Sequence, residues 1–168
     1  RSSVALVRRR VTHECHQGAN PGSPPSRSVQ GYVDREAFVP GEVDPLSEVA
    51  LAEAVAMVDD AGFQPHIHAI GDEAVKMALD AIEHAAEANG QSKNRPVIAH
   101  VQLASDRDLQ RFAQLGVIPM MQPLWAQLDP LMTVLTVPRL GEKRAQRQYK
   151  MRTLEKTGAD LAFGSDWP

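Results

Sequence analysis

Three short apolar stretches of this 168-residue chain end in a metal-competent side chain, and two of them feed into an amphipathic helix. That recurrence restricts the fold more than any other feature. In Gln64-Pro65-His66-Ile67-His68-Ala69-Ile70-Gly71-Asp72 the histidines alternate, and in a strand residues two apart share a face. Gly71-Asp72 gives a tight exit, with the Asp72 carboxylate expected to cap the next helix. Residues 73–88 then place Ala74, Met77, Ala78, Ala81, Ile82 and Ala85 at helical spacing, and Asn89-Gly90 closes the helix. Residues 96–101 are a continuous apolar run of the doubly buried kind, ending at His100. Ser105-Asp106-Arg107-Asp108 reads as a capping box for a helix with Leu109, Phe112 and Ala113 inward and Gly116 as its stop. A strand over 117–123 follows, then a long stretch holding Trp125 and Pro130. A polar, basic surface helix over 141–157 leads to a last strand over 161–166, which ends in Asp166. Upstream, Asp44-Pro45 opens a helix with Leu46, Val49, Ala50, Ala54, Val55, Met57 and Val58 on its apolar face. A repeat of about 30 residues per β-plus-α unit predicts an α/β fold with a parallel sheet.

A complete (β/α)8 TIM-type barrel takes roughly 250 residues, so a chain of 168 is expected to form part of one. Residues 44–168 supply that part. Residues 1–43 differ in kind: the first 30 hold five arginines against one glutamate, whereas the whole chain carries −3. Asn20-Pro21-Gly22-Ser23-Pro24-Pro25-Ser26 is turn composition, and the segment is expected to be irregular apart from a short strand over 29–33. His13, Cys15 and His16 lack a second ligand pair at zinc-site spacing. The net charge of −3 gives no electrostatic ground for a nucleic-acid or anionic-membrane partner. No apolar run approaches the ~20 residues that span a bilayer, and the early arginines follow the apolar run where a secretory signal needs them before it. The single cysteine excludes an internal disulfide framework. These features together predict a cytoplasmic protein.

Parallel neighbours present their carboxyl ends on one edge, so His68, His100 and Asp166 are expected to converge there. Two imidazoles and a carboxylate suit zinc or a similar divalent ion, whose bound water ionises near pH 7. The carboxylate alternatively takes the proton of that water. Each residue has a plainer reading: a core histidine bonded to a neighbour, an aspartate in a turn, a surface position for His84. A third use of the strand end is anion binding at the helix that Gly71-Asp72 opens, although one glycine is a thin signal for it. Repetition favours the metal site, because polar side chains at the ends of three apolar strands are hard to explain by packing.

Four separated motifs resemble the amidohydrolase superfamily, specifically the amidohydrolase-3 branch that includes YtcJ-like proteins and N-substituted formamide deformylase. They are His66-Ile67-His68-Ala69-Ile70-Gly71-Asp72, Ile98-Ala99-His100-Val101-Gln102, Gly116-Val117-Ile118 through Met121-Gln122-Pro123, and Phe163-Gly164-Ser165-Asp166-Trp167-Pro168. The resemblance covers about residues 45–168 and implies strands five to eight of a metal-dependent barrel. It implies that His68 and His100 bind metal, most simply zinc, and that Asp166 binds metal and is the catalytic proton shuttle. His66 becomes a secondary ligand or lies one layer deeper, and Gln102, Gln122 and Trp125 line the substrate pocket. The implied substrate is a small amide- or formamide-like molecule cleaved at its C–N bond. The family's first-strand His-x-His pair and strand-four lysine have no counterpart before residue 66. The alternative expectation is therefore an inactive half-barrel with weak metal binding. Its open sheet edges would pair with a second copy or a complementing fragment. The basic start reads as foreign sequence joined on by a frameshift or an incomplete gene.

Overall fold

A computed structural model of the chain describes residues 28–32 and 45–166. His13, Cys15, His16, Asp44 and Trp167 lie outside them. The described residues form a parallel sheet of five strands in sequence order: β1 (Ser28–Tyr32), β2 (Gln64–Ala69), β3 (Val97–His100), β4 (Ile118–Met121) and β5 (Ala162–Phe163). Helix α1 (Pro45–Asp60) precedes β2, α2 (Asp72–Asn89) joins β2 to β3, and α3 (Asp106–Leu115) joins β3 to β4. This is the expected α/β architecture of a partial (β/α)8 barrel, in which each crossover helix covers one face of a parallel sheet. The strand expected over 29–33 is present as β1, and it pairs in parallel with β2.

The period-2 pattern of β2 sorts its residues. Pro65, Ile67 and Ala69 are buried, while Gln64, His66 and His68 stand half-buried on the opposite face. The buried set meets α1 and α2. Helix α2 contributes Ala74, Val75, Met77, Ala78, Leu79, Ala81, Ile82 and Ala85 to the core, and burying such a stripe is what stabilises a helix of this kind. The small alanines let α2 approach the sheet closely. In β3 all four residues are buried, as its unbroken apolar run requires.

The helix ends follow the sequence, with one correction. Ser105 caps α3 by accepting from Asp108 N at 3.2 Å, and Gly116 ends it in the left-handed region at φ 66. Asp72 does not cap α2. The cap position is Gly71, no side chain caps the helix, and both Asp72 carboxylate oxygens accept from Arg144 at 2.8 Å. As the first helical residue, Asp72 still places its charge at the positive end of the helix dipole, and the guanidinium meets it there.

The second correction concerns residues 123–157. The single surface helix expected over 141–157 is two short ones. Residues Glu142–Ala145 form one and Met151–Lys156 the other, and Tyr149 breaks the path between them at φ 48. Tyr149 N donates to Gln102 O at 2.9 Å, a long-range bond that an uninterrupted helix would forfeit. Before them lie a 3-10 turn (Pro123–Ala126), a π-helical turn (Met132–Thr136) and the α-turn Val137–Leu140. Pro138 has no N–H to offer Val134, so the ladder there widens and Val137 N reaches Met132 O instead.

Arg111 on α3 joins the two crossover helices. It meets Asp80 at 2.7 Å and Glu83 at 2.6 Å on α2, and Asp108 at 3.1 Å on its own helix, with its side chain only 14% exposed. Partial burial disfavours ionisation of Asp80, but hydrogen bonds from Lys76 and Arg111 outweigh it and hold the carboxyl below its ordinary value. Isolated surface pairs contribute little, whereas a half-shielded guanidinium with three carboxylates contributes more. Arg111→Ala is expected to lower stability by about 1–2 kcal/mol in urea unfolding, with Arg111→Lys intermediate. Because the Asp80 pKa is depressed on folding, its contribution is present above the unfolded carboxylate value near 3.9 and is lost as pH falls through the lower folded value. The gap between wild type and Arg111→Ala should therefore narrow in acid.

Candidate metal centre

Parallel registry places His68 opposite Ala99 and Ala69 opposite His100. On a regular pleat Ala99 would share the His68 face, and His100 would point with Ala69 toward the helices. The backbone departs from that pleat at His100. Its φ is 75, and Val101 N donates to Ala99 O at 3.1 Å, a three-residue γ-turn centred on the histidine. Val101 follows at φ 46 and also donates to Ala69 O at 3.0 Å. Two successive L-residues at positive φ, one of them β-branched, are costly at about 1–3 kcal/mol each. The result is an imidazole aimed at its neighbour: His68 Nδ1 and His100 Nε2 are 2.9 Å apart.

The rest of the cluster encloses that pair. His100 is 4% exposed, its Nδ1 lies 3.0 Å from Gln122 Oε1, and the Trp125 ring stacks on it at 5.4 Å. His66 stacks behind His68 with centroids 5.7 Å apart, and its buried Nε2 has no hydrogen-bond partner among the described residues. Burial, followed by the charges that His68 and His100 would carry, pushes the His66 pKa down to about 4. Burial and then His100 also lower His68, against the opposing pull of the Asp166 carboxylate. Both rings are thus neutral near pH 7 and keep a lone pair, as metal ligation requires.

Of the sequence-identified residues, His68 and His100 come into contact with His66 stacked behind. Asp166 lies exposed just past β5 at φ 56, and it is near enough to His68 to act on it electrostatically. Among the described residues no three His, Cys, Asp or Glu side chains form a group that would hold a metal. Gln102 donates from Nε2 to Gln148 Oε1, tying residues 145–149 to the end of β3. Gln122 is buried behind His100, and the Trp125 indole stacks on the His100 ring. Gln148 and Tyr149 were not identifiable from the sequence. Burial and then the nearby Asp129 push the Tyr149 hydroxyl up to about 12.

Two imidazoles at adjacent strand ends, one held from behind by an amide, fit a borderline divalent ion as part of its donor set. A parallel sheet in sequence order with such side chains at its carboxyl edge defines the chain as part of a barrel of the metal-site class. Residues 22–168 match the Amidohydrolase family (Amidohydro_3), and the chain belongs to that family. The match reaches back beyond β1. The chain is 39% identical over 119 residues to the protein LONG AFTER FAR-RED 3 of Arabidopsis thaliana, covering 70% of this chain and 20% of that protein. It is 28% identical over 118 residues to the putative amidohydrolase YtcJ of Bacillus subtilis, covering 70% and 21%. The chain thus spans about a fifth of the length of these relatives. An uncharacterized metal-dependent hydrolase from Pyrococcus furiosus superposes with a TM-score of 0.67 at 28% identity, over 84% of this chain and 31% of that one. A second, from Pyrococcus horikoshii, gives 0.59 at 30% identity over 72% and 23%.

The strain at His100 is measurable without ligand. His100→Gly and His100→Ala both delete the imidazole, but only glycine relieves the positive φ. His100→Gly is expected to be more stable than His100→Ala by about 1 kcal/mol in urea unfolding. Equal stabilities would mean that the turn relaxes once the imidazole is gone.

Proposed function

We propose that this chain supplies the strand-five to strand-eight side of a metal-dependent hydrolase site that cleaves C–N bonds in small amide- or formamide-like substrates. The contact between His68 and His100 at the carboxyl ends of adjacent parallel strands carries the reading. Family membership and the two hydrolase neighbours support it. His68 and His100 are the imidazole ligands of a divalent ion, zinc by donor preference, and Asp166 is the carboxylate ligand. Bound there, the ion would supply a Lewis acid and an acidified water. Asp166 accepts the proton of the attacking water and returns it to the leaving nitrogen, as general base and then acid. Trp125, stacked on His100, shields the imidazole from solvent on the approach side. Gln102 fixes residues 145–149 along the same edge and so shapes where a substrate can lie.

A second reading is favoured by one observation, the lack of a three-donor group among the described residues. On that reading this chain holds metal weakly and needs donors from elsewhere in a complete barrel, from a second copy or from a complementing fragment.

Zinc stoichiometry of the purified chain separates the two. About one zinc per chain, reduced at least tenfold in affinity in His68→Ala, His100→Ala and Asp166→Ala, is expected on the first reading. Folded wild type without bound zinc, judged by circular dichroism and elemental analysis, would establish the second.

A further inference from the structure

We propose that Gln122 is a positioning residue that selects the tautomer of His100. The purpose of this selection rests on His100 being a metal ligand, but the tautomer itself does not. Gln122 is 1% exposed at the end of β4, with its Oε1 3.0 Å from His100 Nδ1 and its Nε2 donating to Met120 O at 3.5 Å. The amide orientation follows from that pair of contacts. Turning it over would set Oε1 against the Met120 carbonyl, two acceptors with no proton between them. With Oε1 facing the ring, the only hydrogen available for the 3.0 Å contact is on His100 Nδ1.

A neutral imidazole protonated at Nδ1 keeps its lone pair at Nε2, and that atom is the one 2.9 Å from His68 Nδ1. One buried amide thus fixes which nitrogen of His100 keeps its lone pair before any ion arrives. The γ-turn at His100 fixes where the ring points, and Gln122 fixes which nitrogen it presents. Ligating histidines are commonly held through their second nitrogen in this manner, and loss of the holding group weakens metal affinity by about 10–100-fold.

The test is long-range 1H–15N correlation on the metal-free, uniformly 15N-labelled chain at about pH 8, above the ~6.5 of an ordinary imidazole. Wild type is expected to show a protonated Nδ1 and a bare Nε2 at His100. Gln122→Leu should give a mixture or the reverse, with zinc affinity down about 10–100-fold. Gln122→Glu, which keeps an acceptor in the same place, should preserve the Nδ1–H form and retain zinc affinity. A bare Nδ1 in wild type would overturn the proposal, and so would an unchanged tautomer in Gln122→Leu. If Gln122→Leu does not fold, the wild-type and Gln122→Glu spectra still decide. A preserved tautomer lock in a chain that binds no zinc would uphold Gln122 in this role and count only against the metal reading.

Discussion

Parallel registry between β2, β3 and β4 is the constraint on which the rest of the structure depends. It brings every strand's carboxyl end to one edge, so chemistry-bearing residues far apart in the chain become neighbours. It also obliges each connection to cross back over the sheet, which α2 and α3 do while burying their apolar stripes against β2 and β3. Because the helices occupy one face completely, the alternating positions His66 and His68 are left for the other. The long excursion after β4 then returns over the carboxyl edge, held by Tyr149 N to Gln102 O and by Arg144 to Asp72.

Within that frame, registry alone would have sent His100 to the wrong face. The backbone instead adopts two unfavourable residues at the strand end, and burial of Val101 beside the Ala69 and Ala99 carbonyls keeps them there. Stored strain of this kind persists only where the surroundings over-determine it. Here the surroundings are a buried amide on one side of the ring, an indole on its face and a second imidazole ahead. Low polarity and mutual proximity keep His66 and His68 neutral, so these rings offer lone pairs instead of repelling a cation.

Much of the architecture was legible in the residues. The apolar runs ending at His68 and His100, the Ser105 cap and the Gly116 stop are local patterns, decided by contacts within a few residues. The misreadings share a different cause. Asp72 looked like a cap because its short-range option is strong, but Arg144, remote in sequence, offered a charged partner. Residues 141–157 looked like one helix because polar composition and sparse apolar spacing permit it, whereas the bond from Tyr149 to β3 required a break. For Gln122 the resemblance implies a pocket position, and the tertiary placement adds that its amide meets His100.

The sequence by itself determined that the chain alternates strands and helices, that the sheet is parallel, and that His68 and His100 end neighbouring strands. Periodicity and capping are read out over one or two turns of chain, so those properties need no knowledge of distant contacts. Tertiary structure decided the aim of His100, the partner of Asp72, the break at Tyr149 and the amide that meets the imidazole. Each depends on a competition between a local preference and a long-range bond, and the winner is set by which groups packing brings within about 3 Å of one another.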